Sequence, residues 1–84
     1  MSMQTVKKGS TGTAVYVLQS ILRAACYVGA DGKPVSVDGQ AGDNTIHALK
    51  ECQRHLIAYG ADCGCKTPDG ICGPKMWRCL GVDD

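Results

Sequence analysis

The chain has no phenylalanine, one tryptophan and three tyrosines among its 84 residues. Aliphatic side chains and cysteines must therefore fill any core it builds. It has a single glutamate, Glu51. A glycosidase needs two carboxylates flanking a cleft, and Asp38 and Asp69 are better explained as turn residues. Neither sign of charge is in excess: nine basic and eight acidic side chains leave a net charge of +1. That balance gives no electrostatic footprint for nucleic acid or an anionic membrane. No apolar run approaches the roughly 18–20 residues of a membrane span. The opening, MSMQTVKKG, has no apolar run after its charges and does not read as a signal peptide. The chain is then cytosolic as made, released by other means, or cut from a longer secreted protein. There is no Walker loop and no dinucleotide fingerprint. The stretch from Asp31 to Asp38 lacks the oxygen-ligand spacing of an EF-hand.

What is present is punctuation. Gly-x-x-Gly occurs at 9–12, 39–42 and 70–73, each time ahead of a helical pattern. Asp38 and Asp69 precede the second and third copies, 31 residues apart. This reads as a weak internal repeat of one turn-plus-helix unit. Asp-Gly is a turn signal because Asp tolerates positive φ and Gly adopts it readily. Gly-x-x-Gly also clamps RNA backbones in KH domains. Here Asp before two copies would repel phosphate, so no nucleic-acid partner is expected.

Three helices follow. Ala14, Leu18, Leu22 and Ala25, with Val15 and Ile21, form one apolar stripe and predict a helix over 11–26, with Ser10 as its N-cap. Ile46, Leu49, Cys52 and Leu56 share a face over 43–59, with Gly60 as the stop. Pro74 opens a short helix over 74–80 with Gly73 at the N-cap, and Met76 and Leu80 facing inward. Residues 27–38 read as a loop with one β-bridge, and 60–69 as a second connection. The expected fold is all-α: a compact three-helix bundle spanning 6–81, with 1–5 as a flexible N-terminus and 82–84 as a tail. A domain this size hides only about 60–65% of its unfolded surface, and such small cores often need staples.

Six cysteines are available: Cys26, Cys52, Cys63, Cys65, Cys72 and Cys79. Structural disulfides, buried thiols and a metal site all compete for them. Cys63-x-Cys65 is not the zinc-knuckle spacing, and His47 and His55 are two helical turns apart. No metal and no cofactor are expected. Stapling suits a small extracellular domain, and the pairing is open among 15 possibilities.

The segment Val6-Lys-Lys-Gly9-Ser-Thr-Gly12-Thr-Ala-Val15-Tyr-Val-Leu18-Gln19 resembles the opening of peptidoglycan-binding-like domains, a Gly-Ser-x-Gly turn followed by Val-x-x-Leu-Gln. The likeness continues at Val37-Asp38-Gly39-Gln-Ala-Gly42-Asp-Asn-Thr45-Ile-His-Ala48-Leu49 and at Cys52-Gln53. It closes at Asp69-Gly70-Ile-Cys-Gly73-Pro74-Lys75-Met76-Trp77-x-x-Leu80. It covers about residues 6–81. Cysteine departs from the family pattern at several core positions. Cys52 stands where the family has Phe, Cys72 where it has an apolar residue, and Cys26 where Gly is frequent.

The resemblance implies noncatalytic binding of bacterial cell wall, tethering a covalently linked wall hydrolase to its substrate. It implies an extracellular, wall or periplasmic location and a monomer. Tyr27, Asp38, Gly39, Gln40, Asn44 and His47, around the entrance to the second helix, are the candidate peptidoglycan-binding residues. A ring covers a sugar's C–H face, amides reach its hydroxyl and N-acetyl groups, and free helix N–H groups suit a stem-peptide carboxylate. Trp77 is expected in the core. The alternative is a structural or protein-interaction module with the same fold and no glycan ligand. A thiol-dependent or hydrolytic enzyme, with a Cys nucleophile and His47 or His55 as base, is third.

Overall fold

The computed structural model describes residues 3–62, 64 and 66–82. It contains three helices: α1 (Thr13–Ala24), α2 (Asp43–Ala58) and α3 (Pro74–Cys79). No strand occurs among the described residues; backbone pairing is limited to the isolated bridges Val6–Cys72, Thr11–Gln40 and Val28–Pro34. The all-α expectation holds.

Apolar periodicity explains which faces turn inward. Val15, Leu18 and Leu22 of α1 and Ala48 and Leu49 of α2 are fully buried, with Met76 and Trp77 of α3 against them. Val6, Val35, Ala41, Cys52 and Cys72 complete the core. Lys50 and Arg54, on the opposite face of α2, are exposed. Burying a side chain of Leu or Met size stabilises by about 1.5–3 kcal/mol, so these few residues carry most of the favourable term. Trp77 is core, as expected, and its indole N–H donates to the Gln4 carbonyl at 3.0 Å. Met3 and Val82 also pack on the core.

Each helix is shorter than expected by one or two residues at an end, and the start of α1 also has a different cap. Ser10 is not the N-cap of α1; Gly12 is, and the helix opens at Thr13. Ser10 is drawn away because its hydroxyl accepts from the Lys7 N–H at 3.0 Å while its carbonyl accepts from Ala41 N. Local side-chain bonding of this kind competes with capping. Gly42 and Gly73 cap α2 and α3, and Pro74 sits at the first turn of α3. α2 ends where Gly60 takes φ +82° and Ala61 N–H returns to the Leu56 carbonyl.

The expected stapling is not found among the described cysteines. Cys26, Cys52, Cys72 and Cys79 form no disulfide with one another. Cys52 and Cys72 serve instead as small apolar core fillers, whereas Cys26 is exposed at the end of α1. Burial, with Cys52 and Asp69 nearby, pushes the Cys72 thiol up to about 12, so it stays protonated and unreactive. Cys63 and Cys65 lie outside the described residues.

Candidate functional site

Two buried glutamines organise the surface where the candidate residues lie. Gln19 sits on α1 beside the apolar stripe, with none of its surface exposed. Its Oε1 accepts from the backbone N–H groups of Asp38 (3.0 Å) and Gly39 (2.9 Å). Its Nε2 donates to Asp38 Oδ1 (2.9 Å), to the Gln40 carbonyl (2.9 Å) and to Thr45 Oγ1 (3.0 Å). Asp38 Oδ1 also accepts from Gln40 N–H at 3.0 Å, which closes the turn.

Gln53 of α2 repeats the arrangement. Its Oε1 accepts from Asp69 and Gly70 N–H, and its Nε2 donates to Asp69 Oδ1 and the Ile71 carbonyl. Asp69 Oδ1 accepts in turn from Ile71 N–H. The internal repeat is therefore one unit used twice: a helix glutamine that locks an Asp-Gly turn. An amide buried without partners costs about 1–3 kcal/mol per lost group. No buried side-chain polar atom among the described residues lacks a partner.

The two turns favour glycine at their second position, where the backbone is left-handed and a side chain would crowd its cover. Gly39 has φ +77°, and a Cβ there would lie 2.5 Å from Tyr16 Cε2. Gly70 has φ +71°, and a Cβ would lie 2.9 Å from Ile46 Cγ2. Tyr16 and Ile46 thus rest directly on the two turns.

Of the six candidate residues, Asp38, Gln40 and Asn44 meet. With Ser36, Asp43 and Thr45 they line a surface depression of about 180 Å³ at the entrance to α2. Gly39 is buried behind it, beneath Tyr16. The depression is polar and acidic. Hydrogen bonds from the Gln40 backbone and then the Gln19 side chain hold the Asp38 carboxyl below the usual carboxylate range. Lys8, bonded to Asp43 at 2.8 Å, lowers the Asp43 carboxyl in the same way. Both are anionic at neutral pH, so the helix entrance offers amide and carboxylate acceptors more than a seat for an added carboxylate.

Tyr27 and His47 lie elsewhere. Tyr27 borders a different cleft, of about 280 Å³, with Arg23, Cys26, Val28 and Pro34. Its hydroxyl is 2.9 Å from His55 Nδ1, with the two rings tilted at 43°. Burial, with Cys52 beside it, raises the Tyr27 phenol above its ordinary range. His47 Nδ1 is 3.2 Å from the Val28 carbonyl, so the imidazole N–H donates to it. Asn44 Nδ2 reaches Asp31 Oδ2 at 3.4 Å, and its Cβ lies where a side chain on Gly29 would go. Tyr27, Asn44 and His47 thus fasten the 27–34 loop across α2.

Leu18-Gln19 and Cys52-Gln53 carry the family resemblance, but nothing in the sequence says what the two glutamines bind. The readable signal was repetition: each Asp-Gly turn follows a helix with one Gln beside its apolar stripe. Tyr16 was also missed. It sits on a helix face next to the core positions and is 47% exposed, and only the tertiary fold lays it on Gly39.

No group of three or more His, Cys, Asp or Glu side chains among the described residues is placed to hold a metal ion. The structure defines a small all-α domain with two glutamine-locked Asp-Gly turns and a polar depression between the first of them and the entrance to α2. Compared with family models, curated proteins and solved structures, the chain matches none.

Proposed function

We propose that this domain binds peptidoglycan noncovalently and, fused to or excised from a wall hydrolase, tethers that enzyme to its substrate. The observation that carries the reading is the interlocking of the residues that carry the family resemblance. Gln19 of the Val-x-x-Leu-Gln segment is hydrogen-bonded to the Asp38-Gly39 turn, and Gln53 to the Asp69-Gly70 turn. Sequence motifs far apart in the chain thereby act as parts of one repeated device. Beside the first turn, Asp38, Gln40 and Asn44 supply the polar groups that a glycan's hydroxyl and acetamido groups require.

Tethering needs no chemistry of the domain's own. It raises the effective concentration of a linked enzyme at its polymer. On this reading the protein is a monomer that works outside the cytoplasm, in the wall or periplasm. Disulfide stapling would then rest on Cys63 or Cys65, and intact mass before and after reduction measures it.

The test is co-sedimentation with purified insoluble peptidoglycan of several chemotypes. The wild type is expected in the pellet, and Gln40→Ala combined with Asn44→Ala in the supernatant with its helix content intact. A wild type left in the supernatant with every wall defeats the reading. A scaffold without a glycan ligand then takes its place, and one observation favours that alternative. Tyr27, Asn44 and His47 are already engaged within the chain.

A further inference from the structure

We propose that Tyr16 is the stacking platform of this site, and that its ligand class is an N-acetylated hexosamine glycan. The proposal deepens the wall-binding reading and rests on it for the location of the site. Tyr16 is the fourth residue of α1 and is 47% exposed. One part of the ring covers Gly39, whose missing Cβ would meet Cε2 at 2.5 Å, Cζ at 2.9 Å and Cδ2 at 3.0 Å. The residues on either side of Gly39 are Asp38 and Gln40, which line the polar depression. The ring therefore packs on the one residue between two that line the depression, whose walls carry the carboxylates of Asp38 and Asp43 and the amides of Gln40 and Asn44.

This combination is specific in chemistry. A pyranose presents one face of C–H bonds and a periphery of hydroxyls. The C–H face suits the electron-rich face of an aromatic ring, the hydroxyls suit carboxylate acceptors, and an acetamido group suits Gln40 and Asn44. Gly39 holds the ring from beneath and is itself fixed by Gln19. Little side-chain freedom is left to lose on binding, which favours affinity.

The internal repeat supplies a comparison within the molecule. At the second turn, Gly70 is covered by Ile46 and the Lys50 stem, whose Cγ2 and Cε would lie 2.9 and 3.0 Å from an added Cβ. The same scaffold there carries aliphatic cover and no ring. The repeat thus keeps the locked turn in both copies and places an exposed aromatic on the first alone, over the glycine between Asp38 and Gln40. Covering the glycine does not require an aromatic; Tyr16 offers a ring in addition.

The experiment uses Tyr16→Leu, which keeps apolar cover over Gly39 and removes the ring, and Tyr16→Phe, which keeps the ring. Thermal melts confirm that both fold. Two readouts are taken: chemical-shift titration with the soluble N-acetylglucosamine tetramer, and co-sedimentation with insoluble peptidoglycan. The expected result is saturable binding by the wild type and Tyr16→Phe, and weakening by about two- to tenfold in Tyr16→Leu. Equal binding by Tyr16→Leu and wild type overturns the platform while leaving wall binding standing. Binding to walls with no response to the tetramer overturns the ligand class. Tyr16-dependent binding of the tetramer without binding to any wall sustains the platform and ends the tethering function. Failure of the wild type in both assays overturns both.

Discussion

Cys26 is the one described residue other than glycine with positive φ, at +66°. It follows the end of α1, where Tyr27 N–H returns to the Leu22 carbonyl and Cys26 N–H to Arg23. This is the left-handed position that helices commonly close with glycine, and an L side chain there is disfavoured by roughly 1–2 kcal/mol. Cys26→Gly removes that strain but loosens the unfolded chain. The net expectation is a gain of about 0.5–1 kcal/mol, or a few degrees in melting temperature. Denaturant unfolding measures it, and an unchanged or lower stability would show that the thiol makes an interaction worth the strain. Among the described cysteines, exposure makes Cys26 the one for a maleimide to label first, with Cys72 protected by burial and a thiol pushed up to about 12.

At the scale of elements, the locked turn matters more than any one helix. α3 has only six residues, too short to be stable alone. It is held by Trp77 and Met76 and by the turn that precedes it. The first turn carries a charge as well. Asp38 accepts from Gln19 and Gln40, and its carboxyl is lowered from its ordinary value. A carboxyl lowered by folding stabilises fully above its unfolded value, about 3.9. That contribution is lost as pH falls through the lower folded value. Melting temperature should therefore decline below about pH 4. Asp43 and Asp62, also lowered, contribute to the same decline. Asp38→Asn keeps an acceptor for both donors and removes the charge. Its acid-side slope should be shallower than that of the wild type in melts between pH 5 and 2, and parallel curves would show that the turn is not held by the ionised form.

For the whole molecule, the radius of gyration is 11.3 Å, close to the roughly 12 Å expected of a folded chain of this length. The N-terminal segment is part of that compactness. Val6 is 1% exposed and exchanges backbone hydrogen bonds with Cys72 at 3.0 and 2.8 Å. Gln4 receives the Trp77 indole N–H. Deleting residues 1–5 removes that partner from a side chain only 2% exposed. Leaving such a donor unpaired costs about 1–3 kcal/mol, which in a domain of this size lowers the melting temperature by about 4 °C or more. Trp77 is the only tryptophan, so a red-shifted emission would report its exposure directly. Unchanged emission and melting would mean that the first residues contribute nothing to the core.

Three helices were legible because apolar spacing and glycine or proline boundaries act locally. Leu18 and Leu22, Leu49 and Cys52, and Pro74 with Met76 each announce a face or an end within one or two turns. Asp38-Gly39 and Asp69-Gly70 announced turns for the same reason, and their 31-residue separation announced the repeat. What each helix does to the distant chain was not legible. Gln19 finds its partners 19 to 26 residues away, and Gln53 finds its own 16 to 18 away. Such pairings depend on how α1 and α2 stack, not on neighbours in sequence. The candidate residues divided along the same line. Asp38, Gln40 and Asn44 are close in the chain around one helix entrance, and they met. Tyr27 and His47 were grouped with them by proximity in sequence, but the 27–34 loop folds over α2 and turns them to other partners. The sequence by itself determined where the helices and turns lie, because those follow from short-range sterics and burial. Only the tertiary structure decided that Tyr16 would lie on Gly39, since that contact exists only once Gln19 has drawn the turn onto α1.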